Sequence, residues 1–224
     1  MITVGGENLI DYVQTALDGG LPVYTAIPGG SCYNVAIAIA RQDQPVTYVT
    51  PISVDSLGNI LADRLLADGV KIGATRSSAP TSLAVVSLSD GQPSYQFYRN
   101  GTAERDISAR HLDISIQTST RIFHIGSLSL IDGEDADLWE RKFWELYQKG
   151  VITSLDPNAR PVVVNDRTAY VERLKRMVKH ACVLKLSNED LQYLSPQKSR
   201  KEAFAELCTN SSAPLIILTK GIDG

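Results

Sequence analysis

Short apolar runs alternate along the chain with longer stretches in which apolar residues recur every three or four positions. "MITV", "VTYVT", "RIFHIG", "VITSLD", "ACVLKL" and "LIIL" have the aliphatic and β-branched density of buried strands. Between them "SLGNILADRLLADGV", "GEDADLWERKFWELYQKG" and "RTAYVERLKRMVKH" read as amphipathic helices, the first with Leu57, Ile60, Leu61 and Leu65 on one stripe. Strand alternating with helix predicts a parallel α/β sheet covered on both faces. Ligands of such sheets collect beyond the carboxyl ends of the strands.

One region has a different period. From Thr81 to Arg99, "TSLAVVSLSDGQPSYQFYR" alternates apolar and polar residues around an Asp90-Gly91 turn, the signature of a hairpin. "LPVYTA" at 21–26 reads as a further extended piece beside it. The hairpin is either a small antiparallel flap, serving as a lid or dimer surface, or an edge hairpin of the main sheet. With no repeats and no low-complexity linker, residues 1–224 are expected to form one domain, with lid elements at about 12–26 and 81–99. The last run, "LIILTKGIDG", places a buried-strand pattern close to Gly224, where a finished domain rarely stops. The expectation is a C-terminally incomplete domain with "LIIL" on an exposed edge.

Composition narrows the class. Hydrophobic residues at 43% and charged residues at 21% are ordinary for a globular protein and argue against disorder. A net charge of -3 supplies no basic field for nucleic acid, and the densest basic run, "RLKRMVK", has the spacing of a solvated helix face. No basic leader and no long apolar window occurs, so neither membrane nor secretion is expected and the predicted location is cytoplasmic. Cys32, Cys182 and Cys208 form no CxxC pair, and His111, His124 and His180 are scattered. The thiols read as core or surface residues in a reducing compartment, with no metal cluster.

Four stretches carry candidate chemistry. In "PGGSCYNVAIAIARQ" the run after Gly29-Gly30 is apolar nearly all round, which predicts a buried helix over 31–40 with Asn34 in or near its first turn. Asn34 there either meets a polar ligand over closely approaching glycine backbone or caps the helix. "GENLID" follows the first strand and sets Glu7, Asn8 and Asp11 near its carboxyl end; Asp11 either accepts bonds from two sugar hydroxyls or serves the loop. "SLDPNAR" and "LKLSNEDLQYL" follow later strands and bring Asp156, Asn158, Arg160, Lys185, Ser187 and Asp190 to the same rim. Acceptors for hydroxyls and cations for phosphates on one rim suit a sugar plus a phosphorylated nucleotide. Neither GxxxxGK[ST] nor GxGxxG is present, so any nucleotide site uses another scaffold.

In this order, "GENLID", "GGSCYNVAIAIARQ", "VDSLGNILADRLLADGV", "TSLAVVSL", "FYRNGTAERD", "SLDPNAR", "LKLSNED" and "LTKGIDG" resemble the PfkB or ribokinase-like family of carbohydrate kinases over the whole chain. The resemblance implies a ribokinase-like, doubly wound α/β fold with a mostly parallel sheet, helices on both faces, and a small β lid that mediates a homodimer. It implies transfer of the ATP γ-phosphoryl group to a sugar hydroxyl with magnesium (Mg2+), fructose being the foremost acceptor and 2-keto-3-deoxygluconate the next. By carry-over, Asp11, Gly29, Gly30 and Asn34 hold the sugar, Tyr98 and Arg99 cover it from the hairpin, and Arg160 faces the substrate or transferring phosphate. Lys185, Ser187, Asp190, Thr219 and Gly221 lie toward the nucleotide, with Asp190 organising magnesium through water.

Two departures stand out. Many members have Asn-x-x-Glu after the lysine strand, where this chain reads Ser187-Asn188-Glu189-Asp190. The family's Gly-Ala-Gly-Asp segment, which supplies an anion hole and the general base, is expected beyond Gly224. On that expectation the 224-residue chain alone is inactive. The alternatives are a non-catalytic sugar-binding module derived from a sugar kinase, and a structural or partner-binding α/β protein.

Overall fold

The computed structural model describes residues 1–89 and 92–223. In chain order it holds β1 (Ile2–Val4), β2 (Leu9–Asp18), β3 (Leu21–Gly29), α1 (Ser31–Ala40), β4 (Val46–Tyr48), α2 (Ser56–Ala67), β5 (Lys71–Ile72), β6 (Leu83–Ser89) and β7 (Gln92–Tyr98). There follow α3 (Ala109–Ser115), β8 (Ile122–Gly126), α4 (Gly133–Gln148), β9 (Ile152–Asp156), α5 (Arg167–Val178), β10 (Val183–Ser187), α6 (Asn188–Leu194), α7 (Arg200–Asn210) and β11 (Leu215–Thr219).

Seven strands form a parallel sheet in the order β11-β10-β9-β8-β1-β4-β5. From β1 the chain runs outward to β4 and β5, then returns to β8 on the other side of β1. The β1/β8 boundary is therefore the point where strand order reverses, and the crevice beyond its carboxyl end is where a doubly wound sheet takes ligands.

The pleat assigns each face. Val4, Tyr48 and His124 share one rung, and Val4 and Tyr48 pack under α1 and α2 with Tyr33, Leu61 and Leu65. Phe123, Ile125, Leu155 and Leu184 point the other way, under Trp139 and Phe143 of α4 and Leu174 of α5. The α2 stripe turns out narrower than its periodicity predicts. Leu61 and Leu65 are buried but Ile60 is 45% exposed, and the covered face is completed by Gly58 and Ala62. A Cβ at Gly58 would overlap the Ser53 carbonyl, so the tight seat needs glycine.

A separate four-stranded sheet, β3-β2-β6-β7, stands on the rim. β2 pairs antiparallel with β3 and parallel with β6, and β6 pairs antiparallel with β7. The hairpin is thus part of a distinct sheet rather than an edge of the main one; the Asp90-Gly91 turn lies outside the described residues. Asp55 ties this sheet to the main body, because its carboxylate caps α2 at Gly58 N and also accepts from the Thr81 N–H and hydroxyl at 2.8 and 2.6 Å. β11 is an edge strand, with Leu215 and Ile217 nearly half exposed.

Candidate active site

A cleft of about 570 Å³ lies between the inner face of the small sheet and the carboxyl ends of the main strands. The register of the small sheet explains which side chains reach it. Ile27, Asp11, Ala84 and Phe97 form one rung across all four strands, and Val13, Val86 and Tyr95 form another on the same face. These rungs supply an apolar wall with one carboxylate, Asp11, set into it. The floor comes from Glu7 after β1, Gly30, Ser31 and Asn34 at the start of α1, Ser127 and Leu128 after β8, and Asn158 and Arg160 after β9.

Asp11 and Arg160 share this cleft, the carboxylate set in its wall and the guanidinium rising from its floor. Burial raises the Asp11 carboxyl from its ordinary value, and Arg160 pulls it back down. Gly29 stands across the β2/β3 ladder, and a Cβ there would overlap the Asp11 carboxylate. Two non-glycine residues with positive φ, Ser127 (58°) and Asn158 (36°), meet in the floor, where Asn158 Nδ2 donates to Ser127 Oγ at 3.3 Å. Left-handed backbone at a serine is held only where its surroundings over-determine it, and such positions concentrate at binding sites.

Asp11, Gly30, Asn34 and Arg160, singled out from sequence, come together here, while other assignments move. Asn34 is exposed rather than buried and does not cap α1, whose N-terminal Gly30 has no side-chain cap. The capping role belongs to Glu7, whose Oε1 accepts the Ser31 N–H at 2.6 Å. Tyr98 lies in the rung Pro28–Ile10–Leu83–Tyr98, of opposite parity to the cleft, and is half exposed on the outer face. Its neighbours Phe97 and Tyr95 are the hairpin residues that line the cleft. Arg99 is buried, with Nε and Nη2 donating to the Glu104 carboxylate at 2.7 and 3.2 Å, so it is not available to cover a ligand.

Asp190 and Ser187 are also committed elsewhere. They form a capping box at α6: Ser187 N–H and Oγ donate to Asp190 Oδ2 at 2.8 Å each, while Asp190 N–H donates to Ser187 Oγ. Oδ1 accepts the Ala159 N–H at 2.7 Å. A buried carboxylate with both oxygens so engaged does not fit a water-mediated magnesium ligand. Lys185 sits beside it on β10, its ammonium 2.9 Å from Asp156 Oδ2. Thr219 ends β11 and Gly221 follows with positive φ and open space where a Cβ would be, both outside the cleft.

The profile of the pfkB family carbohydrate kinases matches residues 8–224. The chain belongs to that family. A fructokinase of Rhizobium leguminosarum bv. trifolii is 33% identical over 225 residues, a match covering 100% of this chain and 68% of the relative. The structure of the Xylella fastidiosa fructokinase with bound ATP superposes with a TM-score of 0.87 at 30% identity, covering 99% of this chain and 72% of that one. The Vibrio cholerae O395 fructokinase in fructose, ADP and calcium ion bound form gives 0.85 at 24% identity, a likeness of fold. As a pfkB family member the chain is fructokinase-like, and it spans about 70% of the length of a second such relative, fructokinase-1 of Zea mays. Ser127, Tyr95 and Phe97 are cleft residues of this chain that local sequence does not mark: the first needs its backbone conformation, the others the register of β6 against β7.

Proposed function

We propose that the protein transfers the γ-phosphoryl group of ATP to a hydroxyl of fructose, with 2-keto-3-deoxygluconate the next acceptor. The observation that carries this reading is the presence of Asp11 and Arg160 in one cleft under an apolar wall. A carboxylate set into that wall accepts hydrogen bonds from adjacent hydroxyls, and the Asn34 amide offers both a donor and an acceptor beside it. Arg160, exposed and donating through Nη1 to the Asn158 and Ala159 carbonyls, presents its guanidinium to a phosphate or substrate oxygen. Phe97, Tyr95 and Leu9 exclude water from the sugar side, which favours transfer to a hydroxyl over hydrolysis.

Lys185, Thr219 and Gly221 are the residues we assign to the nucleotide side, at the ends of adjacent strands β10 and β11. ATP supplies the phosphoryl group, and the Asp190 carboxylate, occupied by the cap, does not fit as a magnesium ligand. The base that takes the hydroxyl proton is assigned to none of the described residues. A second copy covering the exposed Leu17, Leu21 and Tyr98 of the small sheet is the homodimer consistent with this reading, in a cytoplasmic setting.

The test is a panel of fructose, 2-keto-3-deoxygluconate and nucleosides, assayed with ATP on the protein as its own cells make it, together with calorimetry of Asp11→Ala. Fructose phosphorylation is expected, and Asp11→Ala should weaken fructose binding by about 10- to 100-fold, the loss of one charge-assisted bond. Strict preference for a nucleoside would sink the proposal. Fructose binding without turnover would leave a sugar-binding module.

A further inference from the structure

The buried carboxylate of Glu7 joins two parts of the molecule that both serve the cleft. Glu7 is 1% exposed, between the end of β1 and the start of β2. Through Oε1 it caps α1 at Ser31, and Gly30 is pressed so closely on the Glu7 backbone that a Cβ there would overlap its carbonyl. Its second oxygen, Oε2, is buried and makes no hydrogen bond of normal geometry to a described residue.

On its other side is the root of the small sheet. Arg99, where β7 leaves that sheet, is paired with Glu104, and Ser82, just before β6, donates to Glu104 Oε1 at 3.0 Å. Glu104 and Arg99 both act on the Glu7 carboxyl. All four strands therefore leave the main body beside one buried cluster: β2 follows Glu7, β6 follows Ser82, β7 precedes Arg99, and β3 runs into the Gly30-Ser31 turn that Glu7 caps.

We infer that Glu7 is a positioning residue of the sugar cleft: it holds the first turn of α1, and with it Asn34 and Gly30, in register with the root of the sheet that carries Asp11. This deepens the reading of the cleft as a sugar site and rests on it. An ionised carboxylate binds an α1 N–H and the positive end of that helix more strongly than a neutral one. Burial, with a smaller push from Glu104, raises the Glu7 carboxyl to about 7, while its own N–H, Ser31 N–H and Arg99 pull downward. The other titratable groups around it are Cys32 on α1, Tyr48 on β4 and Tyr170 on α5; each of these is pushed upward by burial, as Arg99 is raised by Glu104, so none crosses its own transition near neutrality. Tightening of the α1 turn should thus follow pH through Glu7.

The experiment measures fructose affinity by calorimetry between about pH 5.5 and about pH 8.5 for wild type, Glu7→Gln and Glu7→Ala, alongside hydrogen exchange of the Ser31 amide without sugar. Wild-type affinity should rise about 3- to 10-fold across neutrality, Glu7→Gln should stay flat near the low-pH value, and Glu7→Ala should bind about tenfold more weakly still. Ser31 protection, corrected for intrinsic exchange, should rise with pH in wild type and not in Glu7→Gln. A wild-type pH profile preserved in Glu7→Gln, or Ser31 protection indifferent to that substitution, overturns the inference even if fructose binds. Glu7→Gln decides the matter should Glu7→Ala fail to fold. Should wild type bind no fructose while Ser31 protection still follows Glu7, the sugar reading falls and the Glu7–α1 anchor stands.

Discussion

Asp190 Oδ1 accepts the Ala159 N–H at 2.7 Å, so the residue that closes the α6 capping box with Ser187 also fixes the loop that delivers Arg160 to the cleft. Asp190→Ala removes the reciprocal cap and this bond together and should cost about 2 to 3 kcal/mol of folding stability, read by urea denaturation. Fructose affinity should fall with it because the Ala159–Arg160 segment loses its anchor. Unchanged stability with a selective loss of metal-dependent nucleotide binding would return Asp190 to a magnesium role.

Adjacent glycines should fail in different ways. A Cβ at Gly29 meets the far end of the Asp11 side chain, which can rotate, whereas one at Gly30 meets Glu7 backbone at a position with φ of 118°. Gly29→Ala should fold with a melting temperature close to wild type and bind fructose at least about tenfold more weakly. Gly30→Ala should lose about 2 kcal/mol or more of stability. Equal melting temperatures for the two variants would contradict this division.

The Arg99–Glu104 pair is buried on both sides. Arg99→Met leaves a buried carboxylate without its cation and should destabilise by about 3 to 5 kcal/mol, most of it recovered in Arg99→Met/Glu104→Leu. A double-mutant cycle in denaturant checks this. The ratio of fructose to 2-keto-3-deoxygluconate affinity should be the same in the double variant as in wild type; a shifted ratio would give Arg99 a direct part in substrate choice.

Two buried groups give the pH dependence of stability opposite slopes. Burial, then Lys185, depresses His124 to about 4 from an ordinary 6.5, so its contribution is whole above pH 6.5 and is lost as pH falls toward 4. Glu7, raised to about 7 from 4.5, contributes most below pH 4.5 and loses that contribution as pH rises to 7. Each is worth about 3 kcal/mol over its window at about 1.4 kcal/mol per pH unit. Relative to wild type, His124→Asn should therefore lose stability more steeply with rising pH between about 4.5 and 6.5, and Glu7→Gln should gain it. Parallel profiles for all three proteins would show that neither group titrates as its burial demands.

Periodicity was enough for the scaffold. Every apolar run read as a strand is one, and the helices begin and end near the expected residues, because a two- or three-to-four-residue repeat registers burial directly. The place of Arg160 was legible for a related reason, since residues just past parallel strands share one rim whatever the strand order, whereas Asp11 on β2 and Gly30 and Asn34 after β3 reach the same cleft by way of the small sheet.

What local sequence leaves open is parity and partnership. Phe97 and Tyr98 are neighbours of similar size, and only the pairing of β7 with β6 turns the first inward and the second out, since one residue of register exchanges the faces. Arg99, Asp190 and Glu7 carry charges that suit a ligand as well as a neighbour. Glu104 claims the first, Ser187 and Ala159 the second, and Ser31 the third. Sequence alone thus determined the layered α/β frame and the rim that bears polar groups, because both follow from short-range repeats. Tertiary structure decided which of those groups remain available to a ligand, because a buried charge takes whichever partner the fold brings within hydrogen-bonding distance.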